Sequence, residues 1–138
     1  MKVLILDDDH KRHFLLDDIL KGNDVTHVYD YLSAVLALKE EKYDLVFLDY
    51  KLSNGRNSGI LDAGKELTGY NVAVVMATEL LTDNKPKWVI SHSTDEFGGS
   101  QIGKYLNSNN IKCSVLAFNG QLFSDFLIAK KADLESAL

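Results

Sequence analysis

The chain has 138 residues, 46% hydrophobic and 25% charged, with one proline, one cysteine and a formal net charge of −5. That composition describes a folded domain able to bury a core, and it excludes a low-complexity linker, an intrachain disulfide and a cysteine-based zinc site. The acidic balance excludes a broad nucleic-acid surface, and the opening run Val3–Leu6 is too short for a leader or a membrane span, so a cytoplasmic protein is expected.

Val3-Leu4-Ile5-Leu6 is a continuous apolar run, the pattern of a strand covered on both faces. From about His10 to Lys21, the residues Phe14, Leu15, Ile19 and Leu20 recur near helical spacing, with Asp17, Asp18 and Lys21 opposite them. Gly22 stands where a helix end wants a residue free to turn left-handed. Val25 to Tyr29 reads as a second strand. Asp30 caps a helix carrying Leu32, Val35, Leu36 and Leu38, which ends in the charged run Lys39–Lys42. Leu45 to Leu48 is a third strand, closing on Asp49. A polar loop follows, with Ser53, Asn54, Gly55, Asn57, Ser58 and Gly59. Thr68-Gly69 then leads in a helix with Val72, Val75, Met76 and Leu80 on one face. Trp88-Val89-Ile90 is a fourth strand, and a short helix with Ile102, Tyr105 and Leu106 comes after Gly98-Gly99. Ile111 to Phe118 is a fifth strand. A final helix carries Leu122, Phe123, Phe126, Leu127 and Leu134 as ordinary core. Five strands alternating with five helices predict one α/β domain over residues 1–138, a parallel sheet with helices on both faces and no repeat.

In such folds ligands bind beyond the carboxyl ends of the strands, where the strand order reverses. Two strands end in acid, the first in Asp7-Asp8-Asp9 and the third in Asp49. In the flavodoxin-like doubly wound order 2-1-3-4-5 those strands are neighbours, so the acids converge. Clustered carboxylates must take up protons or hold a cation, and hard oxygen ligands at a partly open pocket suit Mg²⁺. The simpler alternative is that Asp7 to Asp9 cap the first helix, which leaves Asp49 unexplained. Among weaker candidates, His10 and His13 share a helix face at metal-ligand spacing. With no third ligand evident nearby, a solvated face is expected. Lys51, Arg56 and Lys65 are ordinary loop polarity as readily as phosphate grips. Cys113 inside a strand is expected to be a small buried hydrophobe.

Val3-Leu4-Ile5-Leu6-Asp7-Asp8-Asp9 and Asp44-Leu45-Val46-Phe47-Leu48-Asp49 together resemble the receiver domain of bacterial response regulators, a (βα)5 fold. The resemblance implies that Asp7 and Asp8 are its metal-binding acid pair and Asp49 its phosphoacceptor. It also makes Lys51 the residue whose main-chain carbonyl ligates the metal. The second half departs from that pattern. Ser53 stands where receivers carry proline, and Val115-Leu116-Ala117-Phe118-Asn119-Gly120 lacks the fifth-strand lysine that neutralises the phosphoryl group. Leu48-Asp49-Tyr50-Lys51-Leu52, Thr68-Gly69-Tyr70-Asn71-Val72-Ala73 and Val89-Ile90-Ser91-His92-Ser93 with Gly98-Gly99 instead resemble the divergent cyclic-phosphate-processing receiver branch. Tyr50 and Lys51 replace that branch's His and Asp.

The branch implies a metal-dependent phosphoesterase on cyclic phosphates, RNA 2′,3′-cyclic ends or small phosphorylated molecules. Metal on Asp8 and Asp49 would polarise a phosphoryl oxygen, His92 would move a proton, and Ser93 would bind a phosphate oxygen. A core or rim histidine is the plain alternative for His92. Two other functions stay open. One is a stand-alone response regulator phosphorylated on Asp49 by a partner kinase and acting through an output protein on a separate chain. The other is a non-catalytic pseudo-receiver that binds a protein. A haloacid-dehalogenase-like phosphatase also opens on Asp-x-Asp, but the late paired-acid motif it needs is absent after Asp95-Glu96.

Overall fold

The computed structural model describes residues 1–52, 67–93, 95–117 and 125. Five strands, β1 (Lys2–Leu6), β2 (Asp24–Val28), β3 (Leu45–Leu48), β4 (Trp88–Ser93) and β5 (Cys113–Ala117), form one parallel sheet in the order β2-β1-β3-β4-β5. Four helices, α1 (His10–Ile19), α2 (Tyr31–Glu40), α3 (Gly69–Thr78) and α4 (Glu96–Ser108), connect them, with a 3-10 turn at Thr82–Asn84. The expected order is therefore observed. The expected polar loop, with Arg56 and Lys65, and the body of the expected final helix lie outside the described residues, as do Phe118, Asn119 and Gly120. Asp125 is helical.

Strand side chains alternate faces, and the pattern sorts the core into two layers. Val3, Ile5, Leu45, Phe47, Trp88 and Ile90 pack with Leu16 and Leu20 of the α1 segment. Leu4, Leu6, Val46, Leu48 and Val89 pack with Ala34, Leu38, Val72, Ala73, Met76, Ile102 and Leu106 from α2, α3 and α4. A strand buried on both sides has to be apolar throughout, which is why β1 and β3 read as unbroken runs.

Local signals start each helix. Asp9 accepts from the Lys11 amide, Asp30 from the Ser33 amide and Asp95 from the Gly98 amide. At α3, Thr68 and Asn71 form a reciprocal capping box. Gly22, at φ +92°, takes the left-handed turn expected of it.

Three expectations need correction. Phe14 is 75% exposed, and Leu32 and Leu36 are exposed too, so the buried stripes of α1 and α2 are narrower than their composition suggests. α1 turns His13 and Leu16 inward instead. The helix expected after Gly98-Gly99 begins before them, because Asp95 caps it and both glycines lie inside it. A Cβ on Gly98 would collide with the Tyr50 ring and one on Gly103 with Val115, so glycine lets α4 lie close against the sheet. Finally, His13 is buried rather than solvated.

Candidate functional site

The acid run divides its labour. Asp9, half-buried, caps α1, while Asp7 and Asp8 are buried at the carboxyl end of β1. Asp49, 1% exposed, follows β3, the direct neighbour of β1, and its amide bonds the Leu6 carbonyl at 3.0 Å. One carboxylate oxygen from each of Asp7, Asp8 and Asp49 lies within 4.8 Å of the others. Helix capping therefore accounts for Asp9 alone.

Asp7 is heavily engaged. Its Oδ1 accepts the Asp9 amide at 2.8 Å, and its Oδ2 accepts Nε2–H of His92 at 2.8 Å and faces Arg12 Nε at 3.2 Å. Burial by itself would raise its pKa; the His92 hydrogen bond, the charges on His92 and Arg12 and the Asp9 amide outweigh it and hold the group low. Asp49 is the reverse case. Neither carboxylate oxygen makes a well-formed hydrogen bond, and Arg12 stands 3.8 Å away. Burial, then the charge on Asp7, pushes its pKa up to about 8, against a weaker pull from Arg12 and from the Ser93 hydroxyl. Two buried carboxyl groups side by side, one low and one high in pKa and the latter without a well-formed hydrogen bond, suit a hard divalent cation that takes carboxylate oxygens directly. Asp7, Asp8 and Asp49 each offer an oxygen with the donor chemistry for it, and Asp7 is held in a hydrogen-bond network besides.

The structure brings His92 and Ser93 to this end of the sheet, at the last two positions of β4. His92 is fully buried, with its ring edge-on to Phe47, so it reaches the cluster through Asp7. Ser93 is buried and accepts the Asp95 amide at 3.0 Å. Lys51 lies two residues beyond Asp49 with an exposed side chain. Cys113 is a buried thiol with its pKa pushed by burial to about 11, in keeping with a packing role.

Arg12 is the residue that sequence reasoning missed. From the first turn of α1 it spans Asp7, Asp9 and Asp49 and supplies a cation at the pocket. Its only linear signal is the spacing of three from Asp9, which surface ion pairs also show.

Sheet order, parallel pairing and acids gathered at the carboxyl ends of β1 and β3 define a receiver-type α/β protein. The chain belongs to the cyclic-phosphate processing receiver domain family, whose description matches residues 2–108. No curated protein matches it. Among solved structures, it is similar to the receiver domain of NtrX from Brucella abortus (20% identity, TM-score 0.64, 97% of this chain and 98% of that one), while spanning 27% of the longer NtrX chain. It is also similar to the Francisella response regulator 1452 receiver domain (20%, TM-score 0.68, 98% and 96%). A third is the receiver domain of the sensor histidine kinase PA1611 from Pseudomonas aeruginosa, solved with magnesium in its active-site cleft (16%, TM-score 0.63, 94% and 95%). At these identities the likeness establishes the fold.

Proposed function

We propose that this protein is a Mg²⁺-dependent phosphoesterase that opens cyclic phosphates, with RNA 2′,3′-cyclic ends or small phosphorylated molecules as the substrate class. The observation that carries this is the buried His92–Asp7 pair within an acid cluster whose Asp49 oxygens make no well-formed hydrogen bond. The family match and the magnesium in the Pseudomonas relative support it. Asp8, Asp49 and the main-chain carbonyl of Lys51 are the proposed metal ligands. When bound, Mg²⁺ supplies a Lewis acid for a phosphoryl oxygen and acidifies a water.

The chain's own groups do the rest. Arg12 presents guanidinium donors to phosphoryl oxygens at the mouth of the cluster, and the Ser93 hydroxyl takes another. Water adds to phosphorus as one ring P–O bond breaks. The proton that water loses is taken up by the Asp7–His92 pair and returned to the departing sugar oxygen. His92 is thus a positioning and proton-holding residue acting through Asp7.

Arg12 favours one second function. A cation 3.8 Å from Asp49 offers the positive charge that the fifth strand lacks, so Asp49 could instead accept a phosphoryl group from a partner kinase. Either activity suits a cytoplasmic setting. One experiment separates them: incubation with Mg²⁺ and an RNA oligonucleotide ending in a 2′,3′-cyclic phosphate, in parallel with acetyl phosphate. Ring opening is expected, abolished in Asp49→Asn and slowed roughly 10²–10⁴-fold in His92→Ala. Phosphoaspartate on Asp49 with no turnover of cyclic phosphate would overturn the phosphoesterase.

A further inference from the structure

Beside the acidic pocket, α1 and β2 bring together side chains that the chemistry above does not use. His13 and His27 face each other with their Nδ1 atoms 2.5 Å apart. Both line a cavity of about 80 Å³ together with His10, Phe14, Asp17 and Tyr29. Each ring is fixed at its far side. His13 Nε2 lies 2.8 Å from the main-chain carbonyl of Asp7, and His27 Nε2 lies 2.8 Å from the Asp17 carboxylate.

Those partners decide the tautomers. A carbonyl and a carboxylate only accept, so both Nε2 atoms carry hydrogen. In the neutral rings, both Nδ1 atoms then present lone pairs to one another. At 2.5 Å two facing lone pairs repel, so the contact needs either a proton shared between them or a metal ion seated as the rings part slightly. Burial, before any other influence, lowers the proton affinity of His13, and the charge of His27 adds to that. A metal ion is the acceptor that the cavity and the fixed far side of each ring favour over a proton.

The surroundings match metal-binding imidazoles on a second count. Such ligands donate their other ring N–H to a carboxylate or a backbone carbonyl, which fixes ring orientation and raises basicity. His27 has the first arrangement and His13 the second. His10 lines the same cavity three residues before His13 on α1, with its ring tilted on Tyr29 at 4.6 Å.

We propose that His13 and His27, with His10 as a third imidazole, form a site for a borderline-soft divalent ion of the zinc class, distinct from the hard-cation pocket of Asp8 and Asp49. Zinc–nitrogen bonds of about 2.0–2.1 Å at a tetrahedral angle set two ligand nitrogens about 3.3 Å apart. Seating the ion therefore parts the two rings by less than about 1 Å. His27, partly exposed at the cavity edge, is the ring that moves. Imidazole donors favour zinc, copper or nickel over magnesium, so the two sites discriminate by ligand chemistry.

The test is calorimetric titration of Zn²⁺ into full-length, tag-free protein in excess Mg²⁺, with circular dichroism to verify folding. One Zn²⁺ per chain is expected. Binding should be lost in His27→Gln, a partly exposed position, weakened about 10–100-fold in Asp17→Asn, and unchanged in Asp8→Asn/Asp49→Asn. In the wild type, Zn²⁺ should shift the imidazole NMR resonances of His13 and His27. Absence of Zn²⁺ uptake, equal uptake by His27→Gln, or loss confined to the Asp8→Asn/Asp49→Asn variant would each overturn the site.

Discussion

Asp49 carries the sharpest consequence at the scale of single residues. An acid whose folded-state pKa stands above its unfolded value contributes stability below the unfolded pKa and loses it as pH rises to the folded one. For Asp49 that window runs from its ordinary value of 3.8 up to about 8. Asp7, held low, works in the opposite sense, and its contribution fades only as pH falls below the ordinary carboxylate range. In EDTA, therefore, melting temperature should decline between pH 5 and pH 8 more steeply in wild type than in Asp49→Asn. Scanning calorimetry checks this, and parallel slopes in the two proteins would show that Asp49 is not the group responsible. Arg12 makes a second prediction. It competes with a divalent cation for the same acids, so Arg12→Gln should bind Mg²⁺ more tightly, by up to about tenfold, while binding phosphoryl groups less well. Unchanged or weaker Mg²⁺ affinity by calorimetry would mean that the guanidinium helps build the pocket.

At the scale of elements, the start of α3 sets the position of β3's last acid. Gly69 is buried, its amide bonds the Tyr50 carbonyl at 2.8 Å, and a Cβ there would run into the carbonyl oxygen of Asp49. Gly69→Ala should cost about 1–3 kcal/mol by overpacking and should also weaken Mg²⁺ binding, because the backbone that must yield belongs to Asp49. Thr68→Ala, one residue earlier, removes the capping box and should cost about 1 kcal/mol while leaving Mg²⁺ affinity nearly intact. Urea melts and Mg²⁺ titrations of the two variants distinguish a helix start that merely caps from one that also places the acid. Equal Mg²⁺ affinities would assign Gly69 to packing alone.

At the scale of the whole molecule, the sheet's carboxyl edge gathers like charge that folding must overcome. Asp7, Asp8 and Asp49 follow two strands separated in sequence by α1, β2 and α2, and only pairing of β1 with β3 brings them together. A cation bound by the folded state alone stabilises it by mass action, about 2.7 kcal/mol at a hundred times its Kd. Mg²⁺ should therefore raise the melting temperature of wild type and leave Asp8→Asn/Asp49→Asn unmoved. An equal rise in both would place the ion elsewhere.

How far the chain could be read without coordinates follows from which interactions are local. β1 and β3 were legible because burial on both faces demands unbroken apolar runs, and the starts of α2 and α3 were legible because Asp30 and Thr68 cap within a turn. The acids at two strand ends were legible as a cluster once the sheet order was supposed. Their division was not. Asp9 caps, Asp7 is pinned by His92 and Arg12, and Asp49 keeps bare oxygens, all through contacts that no spacing in the chain encodes. The same holds for His13, which helical spacing alone left on a solvated face. His13 is inward because α1 lies over the sheet, and it meets His27 because β2 is the strand beneath that edge. Sequence by itself determined the elements, their order and the acidic end of the sheet, since periodicity and capping act over a few residues. Tertiary structure alone decided which acid is free to bind, which cation faces it and which histidines meet, because those depend on distances between segments far apart in the chain.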